Sequence, residues 1–429
     1  EDDGDARPRE RTAATIAKAR QQASVGMLTD ALGDESFCHA LVEAIGDGGE
    51  FATALGRLRF VPTGSYAALA GAAPGKLPVS APIAQSSNTA VTLGERLFLK
   101  CYRRLRRGIN PEFEIGCFLT NVARFPNCVP VAGGVEHVAA DGSTSALAVL
   151  QAYVSNQGDG WNYTLEYLDR HFADTGSAGE GTHGPYLALS RTLGERVAQL
   201  HRAFATPGGG ADFDPEPVTE RDVAAWKARA RAEAQATLEL LSRRAGVLDD
   251  VVRHEAGMLL ANRRGLLATI DGAVIATKGM CKLRYHGGLH LGRVLLRNND
   301  FLIIDFEGET ACAPEERRAK HSPLRDVAGL LRSFDYARWS ALRRPPHGAQ
   351  EYARCAPLAD AWHTAARQAF LEGYAQAVEG AGILASLEAA RGLVRLFEIE
   401  KALCELRQEL ENRPAWAAIP LNGLRALAG

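Results

Sequence analysis

The stretch at 284–309, RYHGGLHLGRVLLRNNDFLIIDFEGE, constrains this chain more than any other. It holds a His-Gly loop and then two short apolar runs, VLLR and DFLII, on either side of Asn298-Asn299, a dipeptide that suits a tight turn between antiparallel strands. The second run ends at Asp305, so a buried strand is expected to deliver a carboxylate at its end. Two features precede this stretch. QSSNTAVTLGERLFLKCYR reads as a strand pair turning at Gly94 and carrying Lys100. NPEFEIGCFLTNV has a proline near a helix start, helical apolar spacing, and the carboxylates Glu112 and Glu114. The order is lysine strand, carboxylate helix, His-Gly loop, aspartate strand.

That order has a physical logic. A strand lysine can hold the α and β phosphates of a nucleotide, a helix carboxylate can hold the lysine, and a strand-end aspartate can hold Mg²⁺ against the γ-phosphate. The candidates are Lys100, either Glu114 or Glu112, and Asp305. His286 and His290 stand at i,i+4 spacing, but no third ligand of the right type is near, so they are not expected to bind metal.

Further along the chain, CVPVAGGVEHV and SALAVLQAYV are β-prone and complete a small sheet. Beyond about residue 156 the pattern is mostly helical, most clearly in TLGERVAQLHRAFA, in TERDVAAWKARARAEAQATLELLSRRAG and in the run 362–410. Residues 1–84 are expected to form an N-terminal cap and linker, 85–155 a small nucleotide-binding lobe, and 156–429 a helical lobe. The opening EDDGDARPRERTAATIAKAR, acidic and without an initiator methionine, reads as a linker or trimmed boundary of a longer polypeptide.

Composition narrows the function. The 429 residues carry a formal charge of −2, which gives no general attraction to nucleic acid or anionic membrane. The basic run RRLRR at 103–107 is followed at once by Glu112 and Glu114, so it reads as a solvated or phosphate-facing edge. The eight cysteines form no CxxC pair or His-Cys cluster, and no run of about 18 apolar residues occurs. A reduced, cytoplasmic setting and small-molecule chemistry are the expectation, with neither nucleic acid nor membrane as partner.

Six blocks in order carry a resemblance: FLKCYRRLRRGINPEFEIGCFLT, QAYVSNQGDGWNYTLEYL, RYHGGLHLGRVLL, DFEGE, ERRAKHSPLRDVAGLLRSFDYA and EKALCELRQELENRPAW. Together they resemble the bacterial maltokinases, including those fused behind trehalose synthase. The resemblance implies an α+β, protein-kinase-like (aminoglycoside-phosphotransferase-like) bilobal fold with an N-terminal cap. It implies transfer of the γ-phosphate of ATP to maltose or a related α-glucoside, for glycogen and trehalose metabolism. It places Lys100 as the phosphate clamp, Ser87, Asn88 and Thr89 as the loop over the phosphates, Gln151 in the hinge-like segment, and Asp305 with Glu307 as the Mg²⁺ carboxylates. Asp326 would brace the catalytic loop, and Glu405, Arg407 and Glu409 would line the acceptor site. Trp161 and Trp416 are candidate sugar platforms or plain packing residues.

The chain also departs from that family. Where the family reads HGDxHLGQ, this chain has Gly288 in place of the catalytic aspartate and Arg293 in place of the glutamine. The EQSNTS loop begins with Gln85, while Cys404 and Gln408 stand where tyrosines are usual. Two consequences stay open for Arg293: it repels Mg²⁺, or it touches phosphate oxygens itself. Three functions follow: a maltokinase slowed by loss of its base, a kinase for another glucoside or amino sugar, or a catalytically silent module of a trehalose synthase fusion. Repair by Gly288→Asp, and further by Arg293→Gln, is the sequence-level expectation.

Overall fold

The computed structural model describes residues 15–22, 24–80, 88–173, 183–309, 312–344 and 349–428. The chain divides into two compact units, Glu1–Asn121 with Val129–Ser155, and Val122–Cys128 with Asn156–Gly429.

The first unit contains β1 (Thr15–Gln21), β2 (Ser24–Thr29), α1 (Glu35–Asp47), β3 (Gly49–Thr53), β4 (Gly56–Pro62), α2 (Tyr66–Ala70), β5 (Val79–Ser80), β6 (Thr89–Leu93), β7 (Leu97–Cys101), α3 (Pro111–Asn121), β8 (Val131–Ala139) and β9 (Thr144–Ala152). β1 and β2 pair as a separate hairpin, and the other seven strands form one antiparallel sheet in the order β3-β4-β8-β9-β7-β6-β5. Strands β3 to β5 lie in the stretch expected to be a cap and belong to the same sheet as β6 to β9. The hairpin 89–101 turns at Gly94, whose φ of 57° suits glycine, as its sequence requires.

Alternation along β7 divides its side chains between the two faces of the sheet. Leu97 and Leu99 pack with Cys38, Val42 and Ile45 of α1, while Val149, the cross-strand partner of Lys100, packs with Phe113 of α3. Cross-strand partners share a face, so the register delivers Lys100 to the α3 side.

The second unit contains α4 (Gly160–Ala173), α5 (Gly184–Phe204), β10 (Glu216–Pro217), α6 (Glu220–Arg244), α7 (Asp250–Ala261), α8 (Arg263–Asp271), β11 (Cys281–Lys282), β12 (Val294–Arg297), β13 (Asp300–Ile303), α9 (Pro314–Arg318), α10 (Leu324–Arg343), α11 (Ala349–Val378), α12 (Arg391–Asn412) and α13 (Ala418–Ala428). β12 and β13 pair antiparallel around Asn298 and Asn299, which take φ of 52° and 58°. Two successive left-handed residues match the right-handed twist of the strands, and asparagine tolerates that conformation.

Helices α5 and α11 meet backbone to backbone. A Cβ on Gly194 would overlap the Phe370 carbonyl oxygen, and one on Gly373 would overlap the Arg191 carbonyl oxygen. Gly194→Val should therefore lower the unfolding midpoint of this unit by about 1–3 kcal/mol equivalent, through forced separation of the helices. Denaturant unfolding followed by circular dichroism reads this directly; an unchanged midpoint would show that the crossing can relax.

Candidate active site

In the first unit, Asn110, Pro111 and Glu112 start α3 in consecutive roles. The Asn110 side chain accepts hydrogen bonds from the Glu112 and Phe113 amides at 2.9 and 3.2 Å, and Pro111 opens the helix. Glu112 then shares a helix face with Ile115, Gly116 and Leu119, all buried. Lys100 Nζ donates to both carboxylate oxygens of Glu112, at 3.0 and 2.9 Å, and the Tyr102 hydroxyl donates to Glu112 at 2.6 Å. Lys100 is 7% exposed and Glu112 1%. Of the two carboxylates open to Lys100 from sequence, the buried Glu112 is the partner, while Glu114 is partly exposed.

Thr89 is engaged by its neighbours: its hydroxyl donates to Asp30 at 3.1 Å and accepts from Arg103 Nε at 2.6 Å. Asn88 is partly buried beside it, and Gln151 lies on β9 opposite Phe98. Ser87 falls outside the described residues. The basic run is an exposed edge whose Arg107 pairs with Asp141.

In the second unit the loop from His286 is held from behind by Asp326 of α10. Asp326, 1% exposed, accepts from the His286 amide at 2.8 Å and the Gly287 amide at 2.9 Å. His201 Nε2, 3.2 Å away, donates to the same carboxylate, and its Nδ1 lies 3.0 Å from the Tyr374 hydroxyl. The brace expected of Asp326 is thus present, but its support by His201 and Tyr374 left no local signal in sequence.

His286 is fully buried, and its Nε2 donates to the Ile304 carbonyl at 2.8 Å. Burial pushes this imidazole down to about 4; the Arg293 charge adds to the effect and Asp326 opposes it. His290 is exposed as a whole, yet protein crowds its ring. That desolvation, with Arg293, His286 and Lys401, pushes it down to about 3. Its Nδ1 accepts from the Gly292 amide at 3.1 Å, which requires a neutral ring.

Asp305 sits just past β13 with φ of 60°, an uncommon state for a non-glycine residue, and Glu307 follows with its carbonyl accepting from Arg317 at 3.0 Å. Asp300 is occupied elsewhere: Arg196 donates to it at 2.7 and 3.1 Å. Among the described residues no group of three His, Cys, Asp or Glu side chains is arranged to hold a metal. Asp305 and Glu307 are nonetheless hard oxygen donors of the type Mg²⁺ takes alongside nucleotide phosphates, so the donor set suits that ion when phosphate completes it.

The residues expected to line an acceptor site are spread among different partners. Glu405 accepts from Arg332 Nε and Nη2 at 3.0 and 2.9 Å, and Arg332 also donates to Asp335 at 2.5 Å. Glu409 is bound by Tyr336 at 3.2 Å and by Arg413 at 3.0 and 2.6 Å. Arg407 instead pairs with Glu233 at 2.9 Å. Burial pushes the Cys404 thiol up to about 12, leaving it inert as a nucleophile. Trp416 lies against the Arg413 guanidinium, 5.1 Å from its ring centre, and Trp161 borders Gly292.

No protein-family model matches the chain. It is 27% identical over 297 residues to the glucosamine kinase of Streptacidiphilus jiangxiensis, a match covering 68% of this chain and 60% of that protein. It is 26% identical over 347 residues to the glucosamine kinase of Mycolicibacterium smegmatis, covering 80% and 77%. The fold is shared with a solved glucosamine kinase in complex with glucosamine, ADP and inorganic phosphate, at a TM-score of 0.68 and 21% identity over 96% of this chain and 86% of that one. These comparisons name glucosamine, and lend nothing to maltose, to glycogen metabolism or to a trehalose synthase partner. No helix among the described residues is long and apolar enough to cross a membrane.

Two outcomes are expected. Glu405→Ala strips the buried Arg332 of two of its hydrogen bonds and should destabilise the unit by about 1–3 kcal/mol in denaturant unfolding, where sequence alone led us to expect a specific loss of sugar binding. An unchanged midpoint would return Glu405 to the acceptor site. For His286 the folded value lies below the unfolded one of about 6.5, so the unfolded chain takes the proton first. Its stabilising contribution is complete above pH 6.5 and is lost as pH falls toward 4, at up to about 1.4 kcal/mol per pH unit. His286→Gln, which keeps a donor for Ile304, should flatten that acid limb; an identical limb would show that other groups set it.

Proposed function

We propose that the chain is an ATP-dependent phosphotransferase acting on a sugar hydroxyl, with an amino sugar of the glucosamine type as its acceptor class. The observation that carries this is the buried Lys100–Glu112 pair. A lysine and a carboxylate both withdrawn from water are costly to keep for stability alone, because apolar residues of the same volume serve as well. A fixed ammonium on a strand is instead what a polyphosphate needs. The similarity to glucosamine kinases supports the acceptor class over maltose.

In this mechanism Lys100 holds nucleotide phosphates, with Glu112 fixing its position. The Asp326-braced loop presents the acceptor, and Asp305 and Glu307 hold Mg²⁺. The ion, when bound, neutralises phosphate charge. We assign no acceptor contact to Glu409, both of whose oxygens accept from Arg413, or to Glu405, one of whose oxygens takes two bonds from Arg332.

One observation favours a second possibility, a sugar- or nucleotide-binding module without turnover: Gly288 offers no carboxylate to receive the hydroxyl proton. Its loss costs about 10²–10⁴-fold, which slows a phosphotransferase without abolishing it.

Calorimetry should show ATP binding that strengthens with Mg²⁺ and is lost in Lys100→Met/Glu112→Leu, a pair change that leaves no buried charge alone. Absence of ATP heat at millimolar nucleotide with folded protein would refute nucleotide use. ADP release with Mg²⁺-ATP should be faster with glucosamine than with maltose or glucose by at least about tenfold. Maltose turning over as fast would restore the maltokinase assignment, and ATP binding without release for any sugar would favour the binding module.

A further inference from the structure

The glycine at 288 is not demanded by its backbone. Gly287 takes φ of 76°, in the left-handed region, but Gly288 lies outside that region, where other residues are tolerated. A side chain at 288 would instead meet the end of a neighbouring side chain. A Cβ there would overlap Nη1 of Arg293 and would come within 3.0 Å of the Gly308 carbonyl oxygen. Arg293 Nη1 donates to the Gly288 carbonyl at 3.0 Å. The guanidinium therefore fills the volume into which a side chain at 288 would project. A side chain at 288 and the guanidinium of Arg293 as placed here compete for one volume.

With glycine at 288 and arginine at 293, the loop itself carries a cation at this place. Arg293 is partly buried, and among the described residues its guanidinium makes that single hydrogen bond and no ion pair. Other arginines of the same unit differ. Arg325 pairs with Glu400, Arg332 with Glu405 and Asp335, Arg338 with Asp335 and Asp360, and Arg367 with Glu398. Lys401, itself paired with Glu309 at 3.2 Å, acts with Arg293 to lower the His290 ring while Asp305 opposes them, and the ring stays neutral. The loop thus presents a planar fork of N–H donors with no ion-pair partner among the described residues, beside a neutral histidine. That is the geometry that takes a phosphate oxygen pair.

We propose that Arg293 is a phosphate-binding residue of the catalytic loop, holding the oxygens of the phosphoryl group in transfer where a carboxylate at 288 would have received a proton. This rests on the phosphotransfer function proposed above. In the reaction the acceptor hydroxyl oxygen forms a bond to the γ-phosphorus. The bond from that phosphorus to the β–γ bridging oxygen breaks, with its electron pair passing to ADP, and the hydroxyl proton goes to water. In a loose transition state the proton leaves late, so a group that steadies the equatorial oxygens outweighs one that accepts the proton; arginines so placed contribute about 10³–10⁵-fold elsewhere. The repair expected from sequence is thereby altered. Gly288→Asp alone sets a carboxylate against Arg293 and cancels its charge, so it should lower turnover.

The test uses the full chain and inorganic phosphate as probe, titrated by calorimetry without nucleotide or sugar, beside turnover of ATP with glucosamine. Arg293→Gln should weaken phosphate binding at least about tenfold and lower kcat at least about a hundredfold, with the sugar KM changed less than about threefold. Arg293→Lys should keep part of both. Gly288→Ala retains every charge but displaces the guanidinium, and should weaken phosphate binding as well. If Arg293→Gln proves unfolded, the lysine and alanine variants decide the matter. Phosphate binding equal in Arg293→Gln and the unaltered chain, no phosphate binding by the unaltered chain, or faster turnover on removal of Arg293 would each overturn the proposal. Phosphate binding that depends on Arg293 in a chain without turnover would remove the phosphotransfer function and leave this site standing. Turnover indifferent to Arg293 would do the reverse.

Discussion

A single buried carboxylate holds the loop that starts at His286. Asp326 takes the amides of His286 and Gly287 on its two oxygens and the His201 imidazole on one of them, all away from water. Leaving those two amides unpaired in the interior would cost about 1–3 kcal/mol each, so the loop is held to one conformation as long as α10 presents Asp326. The held backbone keeps Gly288 in contact with the Arg293 guanidinium.

The two units contribute different electrostatics. The first hides its lysine in an ion pair with a helix carboxylate, so the charge is kept in place and partly neutralised. The second keeps a guanidinium without a carboxylate partner among the described residues, together with histidines held neutral. A paired cation positions; an unpaired one binds. Under the proposed function the first cation would position nucleotide phosphates and the second would hold the group in transfer.

Much of this was legible in the sequence. Gly94 and Asn298-Asn299 marked both hairpins because left-handed turns demand such residues, and the apolar runs beside them fixed the strands. Glu112 could have been preferred to Glu114, since positions 112, 115, 116 and 119 form one helical stripe that is otherwise apolar or small. The hairpin of β1 and β2 and the strand β3 were not legible: their described residues are exposed on both faces, so no alternation announces them. Nor could the destination of Glu405 be read, because its partner Arg332 lies 73 residues away and only the packing of α10 on α12 joins them. The acceptor class stayed open between maltose and another glucoside or amino sugar, because the motifs of the 284–309 stretch say little about the acceptor. The steric coupling of residues 288 and 293 was out of reach for a similar reason, since it depends on where a guanidinium lies in space.

The most direct test of the central claim, that the loop has exchanged a proton acceptor for a phosphate-binding cation, is a crystal structure of the chain grown with ADP, glucosamine and aluminium fluoride, a mimic of the phosphoryl group in flight. The account predicts that the Arg293 guanidinium lies within hydrogen-bond distance of the fluoride ligands, about 3 Å, with Gly288 open beneath it. A mimic bound with the guanidinium turned away from it would contradict the account.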